Sequence, residues 1–146
     1  MKVNFEKINE NATEPTRGSD GAAGYDLYAC EENPIVVFMP GETRTIHTGI
    51  KVAIPHGYFG AIFARSGLAC KHGLRPANCV GVIDEDYRGE IMVCLRNDSD
   101  QSQGISCKER IAQIVFIPYG TVIFNQVSSL DETERGTGGF GSTGRL

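Results

Sequence analysis

The chain has 146 residues, with 14 basic and 18 acidic side chains for a net charge of −4, 40% apolar residues, no tryptophan, and 18 glycines beside six prolines. That length holds one domain with a sizeable core, and the ordinary apolar content excludes disorder along the whole chain. Net negative charge without a basic block argues against nucleic acid as a partner, and no apolar run approaches the length that spans a bilayer, so no membrane association is expected either.

In chain order, Met1 to Glu10 alternates charge with isolated apolar residues and shows no signal-peptide pattern. Ile46, Ile50, Val52 and Ile54 then share one parity against His47, Gly49 and Lys51 on the other. This is the period of a half-buried strand, with Gly49 marking a bulge. Ser66 to His72 reads as about two helical turns, with Ser66 as N-cap and Gly73 as the stop. Apolar residues before Asp84 and the alternation Ile91, Val93, Leu95 after Gly89 flank a short polar turn, which predicts a hairpin. Ile111 to Ile117 and Thr121 to Val127 are apolar runs split by Pro118 and Gly120, and both read as strands. Many short strands with one helical insert predict an all-β sandwich or barrel of jelly-roll type. The segment from Arg135 to Gly144 holds five glycines in ten residues; it has too little apolar surface to offset its ordering entropy, so it is expected to be mobile until it closes on a ligand.

The five cysteines, Cys30, Cys70, Cys79, Cys94 and Cys107, are odd in number and include no C-x-x-C pair. They read mainly as small core residues of a protein kept in a reducing, cytoplasmic compartment. His47, His56 and His72 lack the spacing of helical metal ligands, so no structural zinc site is expected.

Candidate chemistry falls in three places. Gly136, Gly138 and Gly141 form a G-x-G-x-x-G string, but only five residues follow it, so the strand–turn–helix unit of a dinucleotide fingerprint cannot be built. What remains is a set of backbone N–H groups, the Ser142 and Thr143 hydroxyls, the Arg135 fork and one aromatic ring, Phe140; these suit phosphate oxygens and a flat base. Arg65 and Ser66, at a strand–helix junction, form a second candidate anion site. Asp84, Glu85 and Asp86, in a chain that otherwise offers anion sites, point to a base activating water near a phosphate.

Together, Ala23–Leu27, Arg65–Ala69, Gly81–Asp84 with Tyr87–Gly89, Arg110–Ile114 and Arg135–Gly144 resemble the five ordered motifs of the trimeric dUTP nucleotidohydrolases (dUTPases), spanning residues 22–144. Ala64 stands where the family usually has proline, and Lys108-Glu109 where it usually has Gly-Asp; neither change removes a chemical group from the site. The resemblance implies a jelly-roll-like β-barrel with one short helix over residues 1–134, a mobile Gly-rich lid over 135–146, and a homotrimer with active sites between subunits. It implies hydrolysis of dUTP to dUMP and pyrophosphate. Asp84 would activate water. Asn78 and the backbone of Gly81, Val82 and Ile83 would read uracil, and Tyr87 would pack under the deoxyribose, with Met92 among the substrate contacts. Arg65, Ser66, Gly67, Gln113, Arg135, Gly141, Ser142 and Thr143 would hold phosphates or their surroundings, with Phe140 stacked on the base. Mg²⁺ would be held chiefly by the triphosphate, with Asp26 reaching it through water. The dCTP deaminases, which resemble the same fold, carry R-S-S near the second motif, whereas Ser66 here is followed by Gly67. A nucleotide-dependent binding module on the same scaffold is the alternative from a different class.

Overall fold

A computed structural model describes residues 1–139; the expectations for Phe140, Gly141, Ser142 and Thr143 lie outside the described residues. Apart from one helix the elements are strands, all paired antiparallel. The largest sheet has five strands. β2 (Thr16–Arg17) and β3 (Tyr25–Tyr28) flank one side of β12 (Arg110–Pro118), and β7 (Tyr58–Phe63) and β9 (Gly81–Ile83) follow on the other. β5 (Thr43–His47), β10 (Met92–Asn97) and β8 (Leu74–Pro76) make a second sheet. β1 (Asn4–Lys7) pairs with β6 (Ile50–Ala53), and β4 (Ile35–Phe38) with β11 (Gln103–Ser106). The all-β architecture is as expected, with its pairing divided among four sheets in the described residues rather than running round one closed ladder.

The core follows from strand parity. Val93, Leu95 and Asn97 point inward from β10, and Ile46, Ile50, Val52 and Ile54 are all buried. Gly49 is not a bulge within one strand: its φ of +68° turns the chain between β5 and β6, which then pair with different partners. A Cβ there would stand 2.8 Å from the Ala12 Cβ and 3.0 Å from Cys30 Sγ, so the corner closes only around glycine. Cys30 fills this part of the core, and burial, with Cys107 and Glu90 nearby, pushes its thiol above the ordinary range.

Other expectations are corrected too: of the cysteines only Cys30 is buried, while Cys70 and Cys79 are exposed. The helix α1 (Ser66–His72) takes Arg65, in extended backbone, as its N-cap, and Ser66 is the first helical residue rather than the cap; Gly73 ends the helix in the left-handed conformation as expected. The run from Gly81 to the strand after Gly89 is not a hairpin. β9 pairs with β7 while β10 pairs with β5 and β8, so the 84–91 segment crosses between two sheets. Thr121–Val127 is not a strand: it leaves the domain after Pro118 with Ile123 97% and Phe124 96% exposed. No helix among the described residues is long and apolar enough to cross a membrane.

Candidate active site

Two groups of side chains gather at separate places on the five-stranded sheet. The first lies where β3, β12 and β7 are in register, along the row Asp26, Gln113 and Phe63. Asp26 is buried, and its two carboxylate oxygens each accept from a guanidinium, Arg65 Nε at 2.9 Å and Arg110 Nη1 at 3.2 Å. Arg65 Nη1 also donates to the Arg110 carbonyl at 3.2 Å, which holds the two arginines together. Gln113 is fixed by donating to the Ala64 carbonyl at 3.0 Å. A Cβ on Gly24 would lie 2.5 Å from Gln113 Oε1, so the glycine of the Ala23–Leu27 segment leaves room for that amide. Ser66 and Gly67 are exposed at the start of α1 beside this group. Arg110 was not singled out as a site residue by the sequence reading, although it opens the fourth segment of the resemblance.

The second group surrounds Asp84, just past β9. A cleft of about 170 Å³ is lined by Val82, Ile83, Asp84, Tyr87, Glu90 and Met92. Asp84 also borders a larger cleft of about 560 Å³ with Phe59, Val82, Glu85, Asp86 and Tyr119. β9 pairs only with β7 and is the last strand of its sheet, so one side of the Gly81–Ile83 backbone keeps N–H and C=O groups free of sheet partners. Asn78 is exposed on the turn entering this strand, close to Gly81.

Glutamates fasten this turn at both ends. Glu85 accepts from the Gly57 N–H at 2.8 Å and pairs with His56 Nδ1 at 3.1 Å; the Gly57 N–H, then His56 and the Tyr119 hydroxyl, hold its carboxyl below the ordinary range. Glu90 accepts from the Gly49 N–H at 2.8 Å and pairs with His47 Nδ1 at 2.9 Å. Burial alone would raise the Glu90 carboxyl, but the His47, Gly49 and Thr48 donors outweigh it and the net direction is downward; the same Glu90 hydrogen bond raises His47. Neither glutamate is predictable as a clamp from sequence, since each bridges to residues 28 or more positions away.

The two groups do not meet in one chain. Along the sheet Asp26 and Asp84 are three strand spacings and about four residues apart, or about 20 Å from backbone to backbone, while Phe63 lies one strand spacing from the strand that leads into Asp84. Arg135 is exposed and, among the described residues, donates only to the Gly138 carbonyl, at 3.0 Å, within its own turn.

A paired-arginine carboxylate cluster thus lies on one part of an all-β sheet, and a separate acidic cleft lies beside a free strand edge and a tyrosine. A sequence model of the dUTPase family matches residues 10–144. The deoxyuridine 5'-triphosphate nucleotidohydrolase of Nautilia profundicola is 46% identical over 99% of this chain and 100% of its own. The dUTPase of Staphylococcus bacteriophage 80alpha with dUpNHpp superposes with a TM-score of 0.89 at 32% identity, covering 98% of both chains. A mutant dUTPase from phage phi11 of S. aureus, described with the coordination of a structural Mg(II) ion, superposes with a TM-score of 0.82 at 26% identity over 90% of this chain and 100% of that one. The chain belongs to the dUTPase family.

Proposed function

We infer that the chain hydrolyses dUTP to dUMP and pyrophosphate, the activity its family and its named relatives carry. The observation that carries the reading at the level of residues is the small cleft that sets the Asp84 carboxylate beside the Tyr87 ring and the open edge of Gly81–Ile83. Unpaired backbone N–H and C=O groups on that edge supply the donor and acceptor that the uracil edge needs, with the Asn78 amide adding to them. The exposed ring of Tyr87 occupies the space a 2′-hydroxyl would need, and Met92 lines the same cleft. Asp84 accepts the proton of a water whose oxygen bonds to the α-phosphorus. The bond from that phosphorus to the oxygen bridging to the β-phosphorus breaks, and pyrophosphate departs with the electron pair. Arg65, Ser66, Gly67, Gln113 and, from the tail, Arg135, Gly141, Ser142 and Thr143 bind the phosphates, while Phe140 stacks on the base.

The donor set fits Mg²⁺ held through substrate. No cluster of three or more metal-binding side chains occurs among the described residues. Asp26 has one arginine on each oxygen, and a carboxylate has lone pairs left to accept from the water shell of a hard ion that keeps its waters. When bound, Mg²⁺ would neutralise charge developing on the triphosphate.

Pyrophosphate release measured across dUTP, dTTP, dCTP, dATP, dGTP and UTP tests the reading. dUTP should be the one good substrate, with dTTP refused by crowding at the base and UTP by Tyr87. Comparable kcat/KM for any other nucleotide would overturn it.

We read the assembly as the homotrimer with sites between subunits that the family resemblance implies, and the separation of the two groups supports sites shared between copies. A base must bring water within about 3.5 Å of the reacting phosphorus, and the backbone separation of about 20 Å between Asp84 and the Asp26 row position favours a site that draws the two groups from different copies. The exposed Val122, Ile123, Phe124 and Leu130 support burial against another copy. Light scattering should give roughly 47 kDa, three times the 15.8 kDa chain. Trimers mixed from equal amounts of Asp84→Asn and Arg65→Ala chains should recover about a quarter of wild-type turnover, because random assembly leaves that share of sites with both residues intact. No recovery above the parent variants in verified mixed trimers would place both residues in one chain's site. All five cysteines are unbridged, which supports the cytoplasmic, reducing setting read from their number.

A further inference from the structure

We propose that Glu90 is a positioning residue for sugar selectivity, its carboxylate fastening the end of the 84–90 turn to the β5–β6 corner so that its own backbone carbonyl holds the Tyr87 hydroxyl in place. The inference rests on the reading of Tyr87 as the group that excludes a 2′-hydroxyl. Tyr87 Oη donates to the Glu90 carbonyl at 3.0 Å. The ring lies so close over Gly89 that a Cβ there would fall 2.3 Å from the hydroxyl oxygen and 2.5 Å from Cζ. Glu90 is itself anchored on the far side, with one carboxylate oxygen on the Gly49 N–H and the other on His47 Nδ1, while the next residue's N–H, that of Ile91, donates to the Ile50 carbonyl at 2.9 Å. Both Tyr87 and Glu90 line the cleft that holds Asp84.

Steric exclusion requires an obstacle that does not yield. An exposed tyrosine free to change rotamer would swing aside for the extra hydroxyl at little cost. Here the ring is held at its tip by Glu90 and from beneath by the bare Cα of Gly89, and Glu90 is tied to a corner that can close only around Gly49. The carboxylate therefore serves selectivity through Tyr87 and touches no reacting atom in this account.

The test compares kcat/KM for dUTP and for UTP in wild type, Tyr87→Ala, Glu90→Ala, Glu90→Gln and Gly89→Ala. Glu90→Ala should lower the dUTP-to-UTP ratio by on the order of tenfold, chiefly through a gain in UTP hydrolysis, since a general structural lesion would lower both. Glu90→Gln keeps an acceptor for the Gly49 N–H and should retain most of the ratio. If Tyr87→Ala leaves the ratio unchanged, the role given to Tyr87 falls and the inference with it. If Tyr87→Ala relaxes the ratio and a folded Glu90→Ala enzyme keeps it within about twofold of wild type, Tyr87 stands and the role of Glu90 is overturned. Should Glu90→Ala fail to fold, Gly89→Ala decides: displacement of the ring should relax the ratio, and an unchanged ratio overturns the clamp.

Discussion

Replacing Asp84 by asparagine is expected to lower kcat for dUTP by about two orders of magnitude or more while leaving KM and the melting temperature close to wild type. The amide has the shape of the carboxylate and can still accept a hydrogen bond from water, but it cannot take the proton as the new oxygen–phosphorus bond forms. The loss should therefore fall on the chemical step and not on substrate binding. The turn does not depend on the Asp84 side chain for its shape. Glu85 binds the Gly57 N–H and His56, Arg88 Nη1 donates to the Glu85 carbonyl at 2.6 Å, and the Tyr87 N–H donates to the Asp84 backbone carbonyl at 3.2 Å, a bond that asparagine keeps. Steady-state kinetics with melting curves on the same preparation check this. Turnover within a few-fold of wild type would move the role to Asp86, which lines the larger of the two clefts beside Asp84.

How much of this was legible in the sequence depended on whether the physics is local. The common parity of Ile46, Ile50, Val52 and Ile54 reports a shared buried face, and all four are buried. The same parity is silent about strand partners, so Gly49 read as a bulge turned out to be the corner between strands of two sheets. The supposed hairpin at Asp84 failed for the same reason: alternation before and after a polar turn is satisfied equally by two strands that pair with each other and by two that pair elsewhere. Ser66 has the chemistry of an N-cap, but the first helical carbonyl acceptor is that of Arg65, to which the Ala69 N–H donates at 2.9 Å, and that backbone bond set the boundary. Thr121–Val127 was read as a strand because apolar content predicts burial. In the structure that run is exposed, so apolar content alone did not decide its burial.

The site shows the same division. Asp84, Tyr87 and Met92, proposed from motif and resemblance, lie along one cleft, and Arg65 and Gln113 lie beside Asp26, while their roles stay proposals. The groups that hold them were invisible, because Arg110 on Asp26, Gly57 on Glu85 and Gly49 on Glu90 are contacts between residues 28 to 84 positions apart. Sequence motifs name the groups that meet a ligand, whereas the residues that fix those groups are chosen by the topology, and any donor of the right reach can serve.

The second large effect expected is that of ending the chain at Glu134. The core cluster ends with Ile114 and the half-buried Phe116, so among the described residues nothing from Arg135 onward contributes to the packing that sets the melting temperature. Arg135 is exposed and, among the described residues, bonds only within its own turn, to the Gly138 carbonyl. Removing residues 135–146 should therefore leave assembly and melting nearly intact. The same cut removes a guanidinium, two hydroxyls, a run of backbone N–H groups and an aromatic ring. In the reading proposed here these bind the triphosphate as its charge redistributes and cover the base. Loss of such preorganised donors, together with the water exclusion they provide, is expected to reduce turnover by about two orders of magnitude or more. Because the outer phosphates are their targets, binding of dUMP should change far less than binding of a non-hydrolysable dUTP analogue. Calorimetric titration of both ligands against full-length and shortened chains, alongside pyrophosphate release, separates these contributions. A shortened enzyme that turns over dUTP within a few-fold of the full chain would assign phosphate binding to Arg65, Ser66 and Gln113 alone, and equal weakening for both ligands would assign the tail to the nucleoside instead.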